Sequence, residues 1–385
     1  MPQFYYTTLN LAVNKIVIAP NSFRQVIDSI SLSNTIANAF DTIYGNTVSI
    51  KKCPYADGGD DSLKILASLL EIKTIQIETL NAKHEPIMAN VGIYKKKAII
   101  EASEVTGLKK ISSHLNPLHS DSKGLGIVVD KLLDKGITEF VFLLGGSAVI
   151  DMGIGMYKYL GLKLFDSNKN IIPDGILNFN NVESVVNEID ERFLKSRVSV
   201  YCDITGSLFG NHNLENYFKQ KGVTASQTIG VRLAIQNISN RLGNYFNTEI
   251  AYKKHTASNG GLAAQLNHFN NARLYSGSDV FSKLYKLEST IKESDIIVTG
   301  EGIFDLQSIH GKGAFLVAEI AKKHKKVLIG IVGKKADTNQ FAKNNYFDLL
   351  IESPIDSFRT IKANEIRQII SNNILKKSSD ILKLL

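Results

Sequence analysis

The stretch Ser294–Gly313, SDIIVTGEGIFDLQSIHGKG, decides how the rest of this chain is read. Ile296, Ile297 and Val298 predict a short buried strand. Thr299-Gly300-Glu301-Gly302 reads as a polar loop, with Asp305 soon after, and Gly311-Lys312-Gly313 opens an apolar helical pattern. β-Branched residues bounded by glycines suit a buried parallel strand. Open parallel sheets hold their ligands beyond the carboxyl ends of the strands. Glu301, Asp305, His310 and Lys312 fall in that position among four glycines. An ordinary strand–loop–helix connection has the same outline, so the case for a site rests on similar loops elsewhere.

Such loops recur. KIVIA at 15–19 predicts a strand that Pro20 ends; Asn21-Ser22-Phe23-Arg24 follows, then helical spacing from Ser29 to Phe40. Val48 to Lys52 leads into PYADGGDDS, Pro54 to Ser62, and an apolar helix from Leu63 to Leu70. Phe140 to Leu144 precedes Gly145-Gly146-Ser147 and Asp151. Val198 to Cys202 ends at Asp203-Ile204-Thr205-Gly206, and Asn259-Gly260-Gly261 stands before another helix. Thr74–Thr79, Ile87–Tyr94 and Ala98–Glu101 differ in character, as short strands between polar turns. Residues 101–126 form a long connection that suits a binding loop. The expected fold is α/β. Residues 14–80 and 285–385 form a discontinuous doubly wound parallel-sheet domain, and 81–284 an inserted second α/β domain.

Size and composition agree with this. A chain of 385 residues exceeds the usual single-core size. No run approaches the ~18–20 apolar residues needed to cross a bilayer. The start lacks the basic and apolar regions of a signal peptide. Cys53 and Cys202 are too few for a disulfide framework or a four-thiolate metal site. A cytoplasmic protein without membrane contact is expected, as a monomer or homodimer. The net charge of +8 is scattered, with lysine groups at 95–97 and 322–326 not interleaved with aromatics as a nucleic-acid platform would be. A small anionic substrate is the better match to a mild positive field.

Amide nests and helix N-termini bind phosphate or carboxylate. Loops of that kind stand at Asn21–Arg24, Gly58–Ser62, Gly145–Ser147, Asn259–Gly261 and Gly311–Gly313. Glycines also end helices and relieve turns, so the set argues more strongly than any member. None has the spacing GxxxxGK[ST], because Ala314 follows Lys312-Gly313, and GxGxxG is absent after the first strand. Asp57, Asp60, Asp203, Glu301 and Asp305 lie in these junctions. Carboxylates beside a phosphate site hold magnesium or deprotonate a hydroxyl, although aspartates also cap helices and turns. His114, His119, His255 and His310 lack a short metal-binding spacing. Ser147 in GGSA is not a GxSxG nucleophile elbow.

Taken in order, these blocks resemble the bacterial glycerate kinase family from about Lys15 to Glu352. IAPDSFK of the family is IAPNSFR at Ile18–Arg24, and ADGGEGT is ADGGDDS at Ala56–Ser62. The EMA strand with its SGL turn is EASEVTGL at Glu101–Leu108, and GTG is KGLG at Lys123–Gly126. GGSATNDGG is GGSAVIDMG at Gly145–Gly153. CDVxNPLxG is CDITGSLFG at Cys202–Gly210, GAAGGLG is SNGGLAA at Ser258–Ala264, and TGEGxxDxQxxxGK is kept from Thr299 to Lys312.

The resemblance implies a divergent glycerate 2-kinase-type enzyme of two α/β domains with a cleft between them. It would phosphorylate D-glycerate with ATP and Mg2+, on the C2 hydroxyl. It implies Asp203, Lys312 and Arg24 as catalytic residues, and Asn21, Ser22, Asp57, Ser147 and Asp151 at the substrate. Gly145, Gly146, Gly260, Gly261, Thr299, Glu301 and Gly311 would lie at the nucleotide, and Asp57 and Asp305 at magnesium. The departures fall in the loops. Arg24 replaces lysine, which changes reach and hydrogen-bond geometry, and Asn21 replaces aspartate. Asp61-Ser62 replace Gly-Thr, Val149-Ile150 replace Thr-Asn, and Gly206-Ser207 replace Asn-Pro. Two alternatives follow from these changes: a kinase for another small hydroxy acid, or an inactive ligand-binding protein of the same fold.

Overall fold

The computed structural model describes residues 13–23, 26–45, 47–111, 116–209, 214–247, 252–304, 313–335, 346–354 and 362–384. Arg24, Asp305, Gly311 and Lys312 lie outside these described residues. In chain order the strands are β1 (Lys15–Ile18), β2 (Ser49–Lys52), β3 (Lys73–Leu80), β4 (Pro86–Tyr94), β5 (Lys97–Glu101), β6 (Glu139–Leu144), β7 (Leu162–Phe165), β8 (Ser184–Asn187), β9 (Arg197–Cys202), β10 (Arg273–Ser276), β11 (Ile296–Phe304), β12 (Val327–Lys335) and β13 (Leu349–Glu352). The chain divides into two compact units, residues 1–56 with 281–385, and residues 57–280.

The first unit is built on a sheet of order β13-β12-β11-β1-β2, every pair parallel. Ile16, Ile18, Ile296, Val298, Ile329 and Ile331 form one core with Leu32, Ile36 and Phe40 of the helix Ser29–Tyr44 and Ile366, Ile370 and Ile374 of the helix Ala363–Lys376. The alternate residues Val17, Ile297 and Leu328 are equally buried, so both faces of the sheet are covered. That explains the unbroken apolar runs. The helix Ser29–Tyr44 is capped by Asp28, whose Oδ1 accepts from the Ser31 amide at 2.8 Å, and it ends at Gly45 with φ 61°.

The second unit holds a mixed six-stranded sheet of order β10-β9-β6-β5-β4-β3. β5, β6, β9 and β10 are parallel, and β4 and β3 add to their edge antiparallel. The carboxyl ends of β5, β6, β9 and β10 therefore share one side, at Glu101, Leu144, Cys202 and Ser276. Phe140, Phe142 and Leu144 of β6 share a core with Leu125, Val128 and Leu132 of the helix Lys123–Leu133 and with Tyr157 and Phe193. β7 and β8 pair apart as a two-stranded ribbon.

Three expectations change. Thr299–Gly302 is strand: β11 continues to Phe304, paired with β12 as far as Phe304↔Lys335. The partner strand is equally long, so the ladder satisfies the polar backbone that reads as loop in sequence. Residues 57–80 fall in the second unit, because β3 pairs with β4 over its whole length. The connection 101–126 contains the short helix Ser103–Thr106, and the following helix begins already at Lys123.

Gly300 marks the tightest demand in β11. A Cβ there would lie 1.9 Å from the Ile331 carbonyl oxygen. Gly300→Ala is expected to destabilise the fold by about 1–3 kcal/mol or more, through overpacking against backbone. A urea-unfolding midpoint equal to that of the wild type would contradict this packing.

Candidate active site

The carboxyl ends of the strands gather polar residues in each unit, and each group is described by itself. In the first unit the chain leaves β1 through Ala19 to Ser22 alongside β11. The Ala19 amide donates to the Val298 carbonyl at 2.8 Å, and the Asn21 amide to the Gly300 carbonyl at 2.9 Å. Thr299 is fully buried, and its hydroxyl donates to the Ala19 carbonyl at 2.9 Å. Asn21 Oδ1 accepts from the Ser22 amide at 2.8 Å. Glu301 is buried two residues along the same strand. Gly313 opens the helix Gly313–Lys323 so close to Tyr55 that a Cβ would sit 2.4 Å from the ring. Asn21 and Ser22 thus follow the carboxyl end of β1 alongside Thr299 and Glu301, which lie within β11 and not in a loop beyond it.

In the second unit the turn 57–61 lies on the carboxyl edge of β5, β6 and β9. A Cβ on Gly58 would meet the Tyr201 carbonyl oxygen at 2.8 Å. One on Gly145 would meet Gly59 Cα at 2.5 Å and Asp203 Cβ at 3.0 Å, and one on Gly146 would meet Asp60 Oδ1 at 2.7 Å. Glycine is required at 58 and 145 because backbone lies that close, and at 146 because its φ is 65°. Asp57, Asp60, Gly145, Gly146 and Asp203 are thereby drawn together. Asp57 Oδ1 accepts from the Gly59 amide at 3.1 Å, which closes the turn. Among the described residues no three His, Cys, Asp or Glu side chains converge on a metal position.

Two residues that the motif reading passed over fix this turn. Glu101, the last residue of β5, is 5% exposed. Its Oε1 accepts from the Asp61 amide at 3.2 Å and the Ser103 hydroxyl at 2.9 Å, and its Oε2 from the Leu63 amide at 2.9 Å. Burial pushes its pKa up to about 8 against these donors, with Asp60 and Asp61 adding to the rise. Lys109 pairs with Asp60 at 3.3 Å. Burial presses the Lys109 ammonium down, but Asp60, Asp61 and Glu101 outweigh it and raise its pKa. Glu101 was legible as a carboxylate ending a buried strand, the signal that picks out Asp203. Lys109 carries no such signal.

The other expected residues are held by the protein itself. Ser147 is buried, and its hydroxyl accepts from the Val149 amide at 3.1 Å. Asp151 is 2% exposed. Its Oδ2 accepts from the Ser122 amide at 2.9 Å, the Ser122 hydroxyl at 2.6 Å and the Gly155 amide at 2.9 Å. It thus ties together the starts of two helices, and burial together with Asp121 raises its pKa to about 6. The Gly260 amide donates to the Tyr217 hydroxyl at 2.6 Å, and Gly261 packs on Met152.

With this geometry in hand, comparison with known proteins is informative. The sequence model of the glycerate kinase family matches residues 16–383. The chain belongs to the glycerate kinase family. It is 30% identical over 328 residues to the glycerate 2-kinase of Escherichia coli K12, covering 84% of this chain and 86% of that one. It is 28% identical over 324 residues to the glycerate kinase of Bacillus subtilis 168, covering 83% and 85%. A crystal structure assigned as glycerate kinase 2 of Salmonella typhimurium LT2 superposes with a TM-score of 0.73 at 26% identity, over 97% of this chain and 98% of that one. Within the family, one departure now has a physical reading. Asp61 stands at φ 68°, where the family run ADGGEGT has glycine, and the positive charge of Lys109 faces the added carboxylate.

Glu101 gives a pH test. Its folded pKa lies above the ordinary 4.5, so its share of stability is full below that value and is lost as pH rises toward 8. Glu101→Gln does not titrate. The wild type should therefore lose urea stability relative to this variant between pH 4.5 and 8. A difference that stays constant across that window would show that Glu101 is not the buried titrating group described.

Proposed function

We propose that this chain phosphorylates D-glycerate with ATP, at the C2 hydroxyl, to give 2-phospho-D-glycerate. The observation that carries this reading is the close approach of Asp203 and of Gly59 to Gly145 at the carboxyl edge of β6 and β9, in a member of this family. Family membership supports phosphotransferase chemistry in general; the acceptor and the position of transfer are our own reading.

In this proposal Asp203 orients the acceptor hydroxyl and takes its proton as the acceptor oxygen bonds to the γ-phosphorus and the bond from that phosphorus to the bridging oxygen of the departing ADP breaks. Lys312 and Arg24 supply positive charge to the transferring phosphoryl group and the acceptor carboxylate. The residues expected at the acceptor would be Asn21, Ser22 and Ser147, and those expected at the nucleotide Thr299, Glu301, Gly145, Gly146, Gly260, Gly261 and Gly311. One or two protein carboxylates would hold magnesium at the ATP phosphates. Asp57 fits that demand as a turn carboxylate beside glycine amides, and Asp305 is the second candidate. When bound, the ion neutralises phosphate charge.

A second reading, a kinase for another small hydroxy acid, is favoured by one feature. Val149 and Ile150 are fully buried where the family run has Thr-Asn. Both readings are tested by ADP release with D-glycerate, L-glycerate, glycolate and sugar acids. Phosphorus NMR of the D-glycerate product then separates 2- from 3-phosphoglycerate. D-Glycerate should be the best acceptor and the 2-phosphate the product. Asp203→Asn should lower kcat by on the order of 10²–10⁴-fold. Nucleotide or acid binding without product would sink the enzyme reading, and wild-type turnover in D203N would remove Asp203 from it.

A further inference from the structure

Asn259 is a polar side chain of this region that the fold does not explain. It is 3% exposed, and among the described residues neither its Oδ1 nor its Nδ2 has a hydrogen-bond partner. A buried amide left unpaired loses its hydration without compensation, so a native structure keeps one for a reason. Backbone geometry accounts for only part of the choice. Asn259 has φ 51° and ψ 50°, a left-handed conformation that asparagine tolerates, but glycine would meet it at lower cost and leave no orphaned amide.

The loop that carries Asn259 is laced to the other loops of the site. The His255 amide donates to the Thr205 carbonyl at 3.1 Å and the Ala257 amide to the Gly206 carbonyl at 3.3 Å, which binds it to the segment after Asp203. The Met152 amide donates to the Gly260 carbonyl at 3.0 Å. A Cβ on Gly260 would lie 2.4 Å from the Val149 carbonyl oxygen and 3.0 Å from Ile150 Cα. Asn259 therefore stands where the loops following β6 and β9 meet. Its neighbours at 149–150 are the apolar pair that replaces Thr-Asn, while Asn259 itself falls where the family run GAAGGLG has alanine. A polar group is missing from one strand-end loop and present on the loop packed against it.

We propose that the Asn259 amide is a specificity-determining group for the acceptor, and that it binds a small α-hydroxy acid. This rests on the function proposed above and adds the residue that reads the acceptor. The amide offers a donor at Nδ2 and an acceptor at Oδ1. The phosphate groups of a nucleotide accept only and would leave Oδ1 unmet, whereas its adenine edge offers both a donor and an acceptor, and the kinetic test below separates that partner from the acceptor. D-Glycerate presents a carboxylate that accepts and, besides the C2 hydroxyl that Asp203 meets, a C3 hydroxyl that donates, and so satisfies both atoms. In a buried site such pairing discriminates strongly, because an analogue lacking the hydroxyl leaves the amide unpaired again.

Asn259→Gly separates this role from a structural one, because glycine keeps the left-handed backbone and removes only the amide. The variant should melt at or above the wild-type temperature. Its kcat/KM for D-glycerate should fall about 10–100-fold, with KM for MgATP unmoved. Calorimetric titration of D-glycerate alone should show the same loss of affinity. Unchanged acceptor kcat/KM and binding would overturn the proposal and leave the amide holding at most a buried water. A loss confined to KM for MgATP would overturn it in favour of the nucleotide. If the wild type turns over no hydroxy acid, the kinase reading fails, and the titration still decides Asn259. Binding of the acid by wild type but not by N259G supports the proposal; equal binding or none overturns it.

Discussion

A side chain at residue 145 would place its Cβ 2.5 Å from Gly59 Cα and 3.0 Å from Asp203 Cβ. That lack of space is the constraint on which the site in the second unit depends. Only glycine at 145 lets the turn 57–61 lie on the end of β6, and that approach brings the acidic turn to the edge that carries Asp203. Glu101 then fixes the turn from below with both carboxylate oxygens, and Lys109 compensates the charge the turn carries. The parallel ladder of β5, β6 and β9 fixes where these loops emerge. The fold thus delivers acidic side chains to one edge without a covalent or metal staple among the described residues.

The two units use the same device with different partners. In the first, β1 and β11 run side by side, and the residues that follow β1 are hydrogen-bonded to the continuation of β11. Thr299 spends its hydroxyl on that contact, so its place in the most recognisable block of the sequence reflects backbone support as much as chemistry. Asp151 in the second unit is a parallel case. It lies in a loop of the site, yet both its oxygens accept from the protein, and it joins two helix starts. A motif residue next to a site is not thereby a residue that meets the substrate.

Much of this was legible in the sequence for a physical reason. A parallel strand covered on both faces is a run of β-branched residues, and its carboxyl end is where polar residues and glycines appear. KIVIA, VSVYC and SDIIV announce themselves in that way. Pairing was less legible. Thr299–Gly302 reads as loop because the length of its partner strand is not a local property. β3 and β4 read as a region of different character, yet they extend the same sheet as β6 and β9. Glu101 carried the signal of a strand-ending carboxylate, whereas Lys109 and Tyr217 reach their partners only through the tertiary fold. Asn259 is visible in sequence only as one polar residue before two glycines; its unpaired amide exists only once the chain is folded.

Close backbone approach at Gly145 assembles the edge on which Asp203 stands. Turnover and melting temperature of Gly145→Ala test it most directly when measured together with D-glycerate and MgATP. Displacing the turn from Asp203 by even about 1 Å should cost on the order of 10²-fold in turnover, with a folded protein by circular dichroism. A folded G145A enzyme with wild-type turnover would contradict the account.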